Sequence, residues 1–407
     1  MPALPPSPTS TAKLLKSAFD HCDLTSLRSR LIERWQSDPA DCAVLMDLCT
    51  IEQILGDQAS GLGWQAEALR AERLYRSSWP ASQRALRVLA FLAPGDLATN
   101  MPIDFLLAGA DVVLYSLYMV PGQPVPHPLP DHDVAIVTVG EADRVRPILE
   151  SLERLIPAWP RPVINRPDRV LCLSRENTYR VLEGIPGLLA PPTVRIGRAS
   201  LENVGHGRIP IGRFLGGAGF PLIARTIGSH AGRDLAKLDG AEAVEGYLAV
   251  HPDPEFFISP YVDYRSPDGL FRKYRIIWVD GRPYPCHMAV AEEWKVWYLN
   301  ANMAASAAKR AEEERFLSEF DTGFGRQYRA ELSEIAKRFG LEYVGIDCAL
   351  LPDGRLVVFE ADIALVAHNM DPPDLYPYKV APMRRLFAAF QDMLRRKSRP
   401  GNSPPAH

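Results

Sequence analysis

The chain has 407 residues, 47% of them apolar and 23% charged, with a formal net charge of −3. That length exceeds one ordinary core and calls for two or three domains. The small net charge, with acidic and basic residues interleaved, argues against nucleic acid or an anionic membrane as the main partner.

The longest apolar stretch, Val112 to Val120, is too short to span a bilayer. The N-terminus has neither a basic nor an apolar leader region, so a soluble, cytoplasmic protein is expected. Cys22, Cys42, Cys49, Cys172, Cys286 and Cys348 form no CxxC pair and read as reduced thiols.

Residues 1–10 and 397–407 are rich in Pro and Ser, and disordered tails are expected there. Residues 11–82 read as helical. Leu24, Leu27, Leu31 and Trp35 fall at helical spacing, and Ala43, Met46 and Leu48 begin a second amphipathic segment. Asp38 to Arg76 resembles a single tetratricopeptide unit with its turn at Gly56-Asp57. Such units need neighbours to bury their faces, so a small helical cap is the expectation.

Residues 83–170 alternate apolar strands with helical segments, which predicts a parallel α/β domain. Its strand-following loops carry Pro94-Gly95-Asp96, Asn100-Met101-Pro102 and Gly140-Glu141, the positions where open parallel sheets bind ligands. No GxGxxG follows the first strand, so a dinucleotide site is not supported. A second α/β region, richer in hairpin signals, is expected over 171–396.

The chemistry concentrates in that region. In LEYVGIDCALLPDGRLVVFEAD a Pro352-Asp353-Gly354 turn joins two strands. Glu360 and Asp362 share one strand face, and Asp347 can face them across the hairpin. Three carboxylates within apolar strands are costly unless a cation sits among them, and hard oxygen ligands suit magnesium. A plain solvated acidic face is the competing account. In FRKYRIIWV, Lys273 and Arg275 share a face and suit a polyphosphate. In PLIARTIGSHAG a short strand ends in Arg225, followed by Gly228, Ser229, His230 and Gly232, a set that can close over phosphates. FFISPYVD is an apolar strand ending in a break, where a flat purine could lie on backbone groups.

These segments, in this order, resemble the ATP-grasp superfamily, nearest its glutathione synthetase and ribosomal-protein glutamate ligase branch. The resemblance covers roughly residues 85–393. It implies an α/β (α+β) ATP-grasp fold behind a parallel α/β domain, with ATP and Mg2+ as cofactors. It further implies adenine on the backbone of Ile258 and Ser259 near Asp263, and phosphates on Arg225, Gly228, Ser229, His230, Gly232, Lys273 and Arg275. Magnesium would sit on Asp347, Glu360 and Asp362. The activity implied is ADP-forming ligation of a carboxylate to an amine of an amino acid or peptide through an acyl phosphate. Arg225 and Arg275 would assist phosphoryl transfer, and His368 would act as a base or substrate contact.

The sequence departs from the family's two ATP-binding lysines, with Asn177 at the first position and Arg225 at the second, and it has Asp362 where the last metal ligand is commonly Asn. Arg175, Arg180 or Lys273 would then have to supply charge. A kinase on the same scaffold and a degenerate, partner-binding scaffold are the rival readings. The N-terminal helices are the expected surface for a homodimer or other protein contact.

Overall fold

The computed structural model describes residues 4–79, 81–229, 232–298 and 300–399. Two compact units divide the chain. The first takes its described residues from Met1–Leu171, Leu341–Val344 and Asp362–His407, and the second spans Cys172–Gly340 and Gly345–Ala361.

The first unit opens with helices α1 (Thr11–Phe19), α2 (Leu24–Ser37), α3 (Cys42–Ile54) and α4 (Gln58–Ala71). Aspartates start the last three. Asp23, Asp41 and Asp57 each accept a first-turn backbone N–H, which satisfies groups that a helix leaves open. The α3–α4 turn falls at Gly56, with a positive φ of 96°, as the Gly-Asp pair predicted. Helix α3 is buried continuously from Cys42 to Glu52, so it is the centre of the layer rather than an amphipathic face.

The expected helical stretch to residue 82 ends earlier, at Ala71. Leu74–Arg76 forms strand β1, with Leu74 and Tyr75 buried. Three residues are too few to show a strand period. Four further strands complete the sheet: β2 (Leu86–Leu92), β3 (Val112–Tyr118), β4 (Val134–Val137) and β5 (Val163–Ile164), in the order β1-β3-β2-β4-β5. Strand β1 is antiparallel to β3 and the other pairings are parallel. After β2 the chain passes through α5 (Ile103–Leu106) to β3 on one side, then returns to β4 on the other. The carboxyl ends of β2 and β4 therefore flank the topological switch point of the sheet.

The predicted disordered tails need correction where they are described. Residues 4–10 lie ordered. Thr9 donates through its N–H (2.7 Å) and hydroxyl (2.9 Å) to Asp47, and Pro6 O accepts from Arg76 N–H at 2.9 Å. Ser10 Oγ (2.8 Å) and Thr11 N–H (2.9 Å) donate to Asp104. These two carboxylates, Asp47 buried and Asp104 half-buried, pin a segment whose composition alone suggests disorder. Residues 1–3 and 400–407 lie outside the described residues. The C-terminal helix Val380–Lys397 belongs to the first unit, where Gln391 Nε2 donates to Leu106 O at 3.0 Å, so the expected second-domain boundary at 396 moves back to 361.

In the second unit, β7 (Val194–Gly197), β8 (Leu222–Thr226), β9 (Ala236–Leu238) and β10 (Glu255–Pro260) form an antiparallel sheet ordered β7-β10-β8-β9. Leu201, Val204, Val244, Tyr247 and Leu248, from residues 198–205 and 241–250, pack with Leu222, Ala224, Phe256 and Ile258 into its core. A second sheet runs β12-β11-β13-β14-β6, with β6 (Leu188–Leu189), β11 (Phe271–Val279), β12 (Arg282–Ala291), β13 (Tyr343–Leu350) and β14 (Leu356–Asp362). Its long apolar strands bury Ile276, Ile277, Trp278, Ile346 and Val357.

Burial pushes the Asp47 carboxyl up to about 6 against the pull of its Thr9 donors, with Arg34 and Asp41 the nearest other charges. A raised native value means that its support for the fold is complete below about pH 3.8 and is lost as pH rises through about 6. Asp47→Asn should therefore gain on the wild type between pH 4 and pH 7, by up to roughly 3 kcal/mol in urea unfolding. A difference independent of pH would show that the carboxyl is solvated.

Candidate functional site

The second sheet carries a row of charges across four adjacent strands. On β11, Lys273 and Arg275 point to one face as the alternation predicted, while Arg272 turns to Asp268 and Glu312 on the other, both at 2.7 Å. Asp347, from the neighbouring β13, receives both cations. Arg275 Nε and Nη2 reach its two oxygens at 2.7 and 3.0 Å, and Lys273 Nζ lies at 2.8 Å. Burial alone would raise the Asp347 carboxyl, but Arg275 and then Lys273 overcome this and hold it well below the usual carboxylate range.

Glu360 follows on β14 and pairs with Arg175 Nη2 at 2.7 Å. Burial pushes its carboxyl up, and Asp347 beside it adds to that push, but Arg175 together with Lys273 and Arg225 holds it below the usual carboxylate value. Arg175 is placed by the start of a helix, Arg175–Leu182, whose cap Ser174 accepts from Asn177 N–H at 3.2 Å. Asn177, at the expected lysine position, accepts from Arg180 at 3.4 Å. Of the three residues expected to supply the missing charge, Arg175 and Lys273 therefore join the row and Arg180 serves Asn177.

His287 was not anticipated. It pairs with Arg275 across β11–β12, so both side chains share a face. The register shifts just beyond that pair, Ile276 opposing Pro285, which leaves Cys286 as an extra residue on β12. Its ring lies 5.0 Å from that of Tyr298. Only the bulge and the register reveal this neighbour, and neither is readable from a single strand's sequence.

Arg225 lies on β8 with 8% of its surface exposed. Its Nε donates to Ser229 Oγ at 3.1 Å and its Nη2 to Ser229 O. Burial, with Arg175 adding repulsion, pushes it down to about 9, so it is charged at neutral pH. The loop beyond it turns at Gly228 (φ 76°) and Gly232 (φ 70°). Thr226 Oγ1 donates to Asp234 Oδ2 at 3.0 Å and closes its base, and Lys295 Nζ donates to Leu235 O at 3.2 Å. His230 lies outside the described residues.

Ile258 is committed to both neighbours of β10, opposite Val194 and Ala224, whereas Ser259 pairs only with Ile223 because the β7 ladder stops at Ile258. Ser259 thus offers backbone on one edge, and Ile258 belongs to the core. Asp263, exposed, accepts from Arg265 N–H at 3.0 Å and shapes the following turn.

Two expected site residues fall in the first unit. Asp362 accepts from Ala364 N–H at 3.0 Å and lies against the loop after β4, where a Cβ on Gly140 would stand 3.3 Å from its Oδ1. His368 Nδ1 accepts from Met370 N–H at 3.2 Å, and its ring lies 6.2 Å from Phe105. Among the described residues, no three of His, Cys, Asp and Glu are grouped as a ready metal site. Asp347 and Glu360 stand on adjacent strands, but each is bound by cations instead.

No protein-family model matches the sequence, and neither does a curated protein. Solved structures do. A RimK domain protein ATP-grasp from Sphaerobacter thermophilus is 15% identical, with a TM-score of 0.44, over 76% of this chain and 99% of that one. The D-alanine–D-alanine ligase of Bacillus anthracis, complexed with ATP, is 14% identical, with a TM-score of 0.45, over 77% and 97%. VanG D-Ala:D-Ser ligase from Enterococcus faecalis is 12% identical, with a TM-score of 0.43, over 78% and 100%.

Removing one side of the buried cluster leaves the other uncompensated. Asp347→Asn should cost about 3–5 kcal/mol in urea unfolding, and adding Arg275→Met to Asp347→Leu should recover part of it. A loss below about 1 kcal/mol for the single change would mean that water screens the cluster.

Proposed function

We propose that the chain is an ATP-dependent enzyme of the ATP-grasp type, which phosphorylates a substrate carboxylate and joins it to an amine. The observation that carries this is the environment of Arg225. It is a buried guanidinium whose hydrogen bonds, among the described residues, go to the Ser229 hydroxyl and carbonyl, with a second cation, Arg175, nearby. Glu360 and Asp234 act on it from beyond hydrogen-bond distance and burial still pushes it down, so a polyphosphate would supply the direct counter-charge. Small-residue turns at Gly228 and Gly232 let loop backbone approach the phosphates. Adenine would stack at the end of β10 and take its hydrogen bonds from the Ser259 backbone.

Arg225, Arg175, Lys273 and Arg275 then neutralise charge spreading over the transferred phosphoryl group, as electrostatic positioning. A carboxylate oxygen of the substrate attacks the terminal phosphorus, and ADP leaves. An amine attacks the resulting acyl carbon, and phosphate leaves. The loop segments carrying Gly228, Ser229 and Gly232 would shield that intermediate from water. His368 is the proposed base or substrate contact on the first unit.

The donor chemistry fits magnesium at Asp347 and Glu360, neighbouring hard-oxygen ligands on adjacent strands. When bound, such an ion would supply positive charge to the phosphates. Asp362, the third expected ligand, is held against Ala364 and Gly140. A binding scaffold without turnover is the second reading, favoured by the absence of both expected lysines, with Asn177 and Arg225 in their places.

ATP with magnesium should raise the unfolding midpoint, by the equivalent of about 2.7 kcal/mol at a hundredfold excess over Kd. Arg225→Met should abolish the gain while leaving the fold intact. No gain at millimolar ATP in the wild type would sink the nucleotide assignment. ADP release that requires both an acid and an amine supports ligation, and a stable phosphorylated product would make the protein a kinase.

A further inference from the structure

Residues 4–11 run as a strap over three elements of the first unit. Pro6 O accepts from Arg76 N–H at 2.9 Å, at the end of β1, the edge strand of the sheet. Thr9 meets Asp47 on α3 at two points, its N–H donating to Oδ1 at 2.7 Å and its hydroxyl to Oδ2 at 2.9 Å. Ser10 stands at the N-cap of α1 yet makes no side-chain cap there. Its hydroxyl donates to Asp104 Oδ2 on α5 at 2.8 Å, and the same oxygen accepts from Thr11 N–H at 2.9 Å. The start of α1 is therefore capped by a carboxylate 93 positions away.

The dependence is mutual. Among the described residues, the hydrogen bonds that Asp47 and Asp104 accept come from residues 9–12. No cation balances either carboxylate. Arg34 on α2 acts on Asp47 from a distance but is bound to Asp41, and no cation acts on Asp104. The other ionisable groups around them are engaged elsewhere or face water. On α1, Lys13 is exposed and Lys16 pairs with Asp20. On α3, Glu52 is bound by Arg28, and Cys49 accepts from Gln53 Nε2. Strand β3 turns the Tyr118 hydroxyl toward Asp104, and His368 lies by Phe105, the next residue on α5. The C-terminal helix meets α5 through Gln391, with Arg384 and Arg385 exposed.

Neutral donors serve a carboxyl in either protonation state. A protonated carboxyl accepts a backbone N–H through its C=O and gives its O–H to a hydroxyl, which accepts as well as donates. An ionised one keeps its acceptors but stays out of water with no counter-charge. Burial accordingly pushes both carboxyls up, Asp47 to about 6. Lifting a strap of a few residues hydrates them without opening α3, which is buried continuously from Cys42 to Glu52.

We propose that residues 4–11 are a proton-operated strap, held on α3, α5 and the edge of the sheet while Asp47 and Asp104 are protonated and released as they ionise. Acid tightens the strap and neutral pH loosens it. For Asp47 the grip weakens as pH rises from about 3.8 to about 6. Release uncaps α1 and leaves the Arg76 N–H on the edge strand without its acceptor. The strap is independent of the nucleotide reading.

Hydrogen exchange of the full chain, taken as protection relative to the intrinsic rate at each pH, reads the strap. Between about pH 4.5 and pH 7 the protection of the Thr9 and Thr11 amides should fall at least about tenfold. At both pH values these amides should be at least about tenfold less protected than that of Leu48 on α3, because they exchange through a local opening. Asp47→Asn and Asp104→Asn keep an acceptor and cannot ionise, so the double variant should show strap protection that is flat across the range. Equal wild-type protection at the two pH values overturns the proposal, and so does a fall that persists in the double variant. Thr9 and Thr11 protected as strongly as Leu48 also overturn it, since the layer then opens only as a whole. If the double variant does not fold, the single variants decide. The fall should shrink in each, and an unchanged fall in both overturns the strap.

Discussion

The buried bridge from Asp347 to Lys273 and Arg275 is the constraint on which the second unit depends. Strand β13 is otherwise apolar, and its one buried charge is tolerable only because two opposite charges from β11 meet it at hydrogen-bond distance. Once that bridge is fixed, its neighbours follow. Glu360 must find its own cation, and Arg175 comes from the start of a helix to supply it. His287 is drawn beside Arg275 by the cross-strand register. The result is a face on which each carboxylate holds at least one cation, while Arg225 on the other sheet hydrogen-bonds only to Ser229 among the described residues.

That imbalance has functional content. A protein gains nothing in stability from burying a guanidinium against a serine hydroxyl and a carbonyl. The capping serine belongs to the loop that is proposed to fold over phosphate, so the same residues that tolerate the charge would yield it to a ligand. The carboxylates work in the opposite sense, since they already hold cations. On the proposed reading, ligand binding at this face would be a redistribution of existing ion pairs rather than the filling of a bare cluster.

The first unit solves a different problem with neutral groups. Its sheet brings loops 94–99 and 138–146 together at the switch point, and loops at such points have little secondary structure to define them. Glutamine amides from the helical layer act as surrogate backbone, each matching a donor or acceptor that no strand supplies. The same logic holds the N-terminal segment, whose Thr9, Ser10 and Thr11 donors satisfy Asp47 and Asp104. In both places a polar contact between distant residues orders a segment that composition marks as irregular.

The sequence by itself determined the alternation of elements, the faces of β11 and β14, the turns at Gly56 and Pro352–Gly354, and the candidate residues on them. These are local properties, set by periods of 2 and 3.6 residues and by residues that tolerate positive φ. Only tertiary structure decided what those side chains meet. Glu360 and Asp362 share a two-residue period in sequence and Asp347 faces them across a hairpin, yet Asp347 is claimed by Lys273 and Arg275, Glu360 by Arg175, and Asp362 by the loop at Gly140. The partners lie far away in sequence, 185 positions in the case of Arg175 and Glu360. The same is true of the three-residue β1, of the bulge beside His287 and of the glutamine contacts to residues 94–99. Each depends on a register or a packing distance between segments, and no local period encodes one.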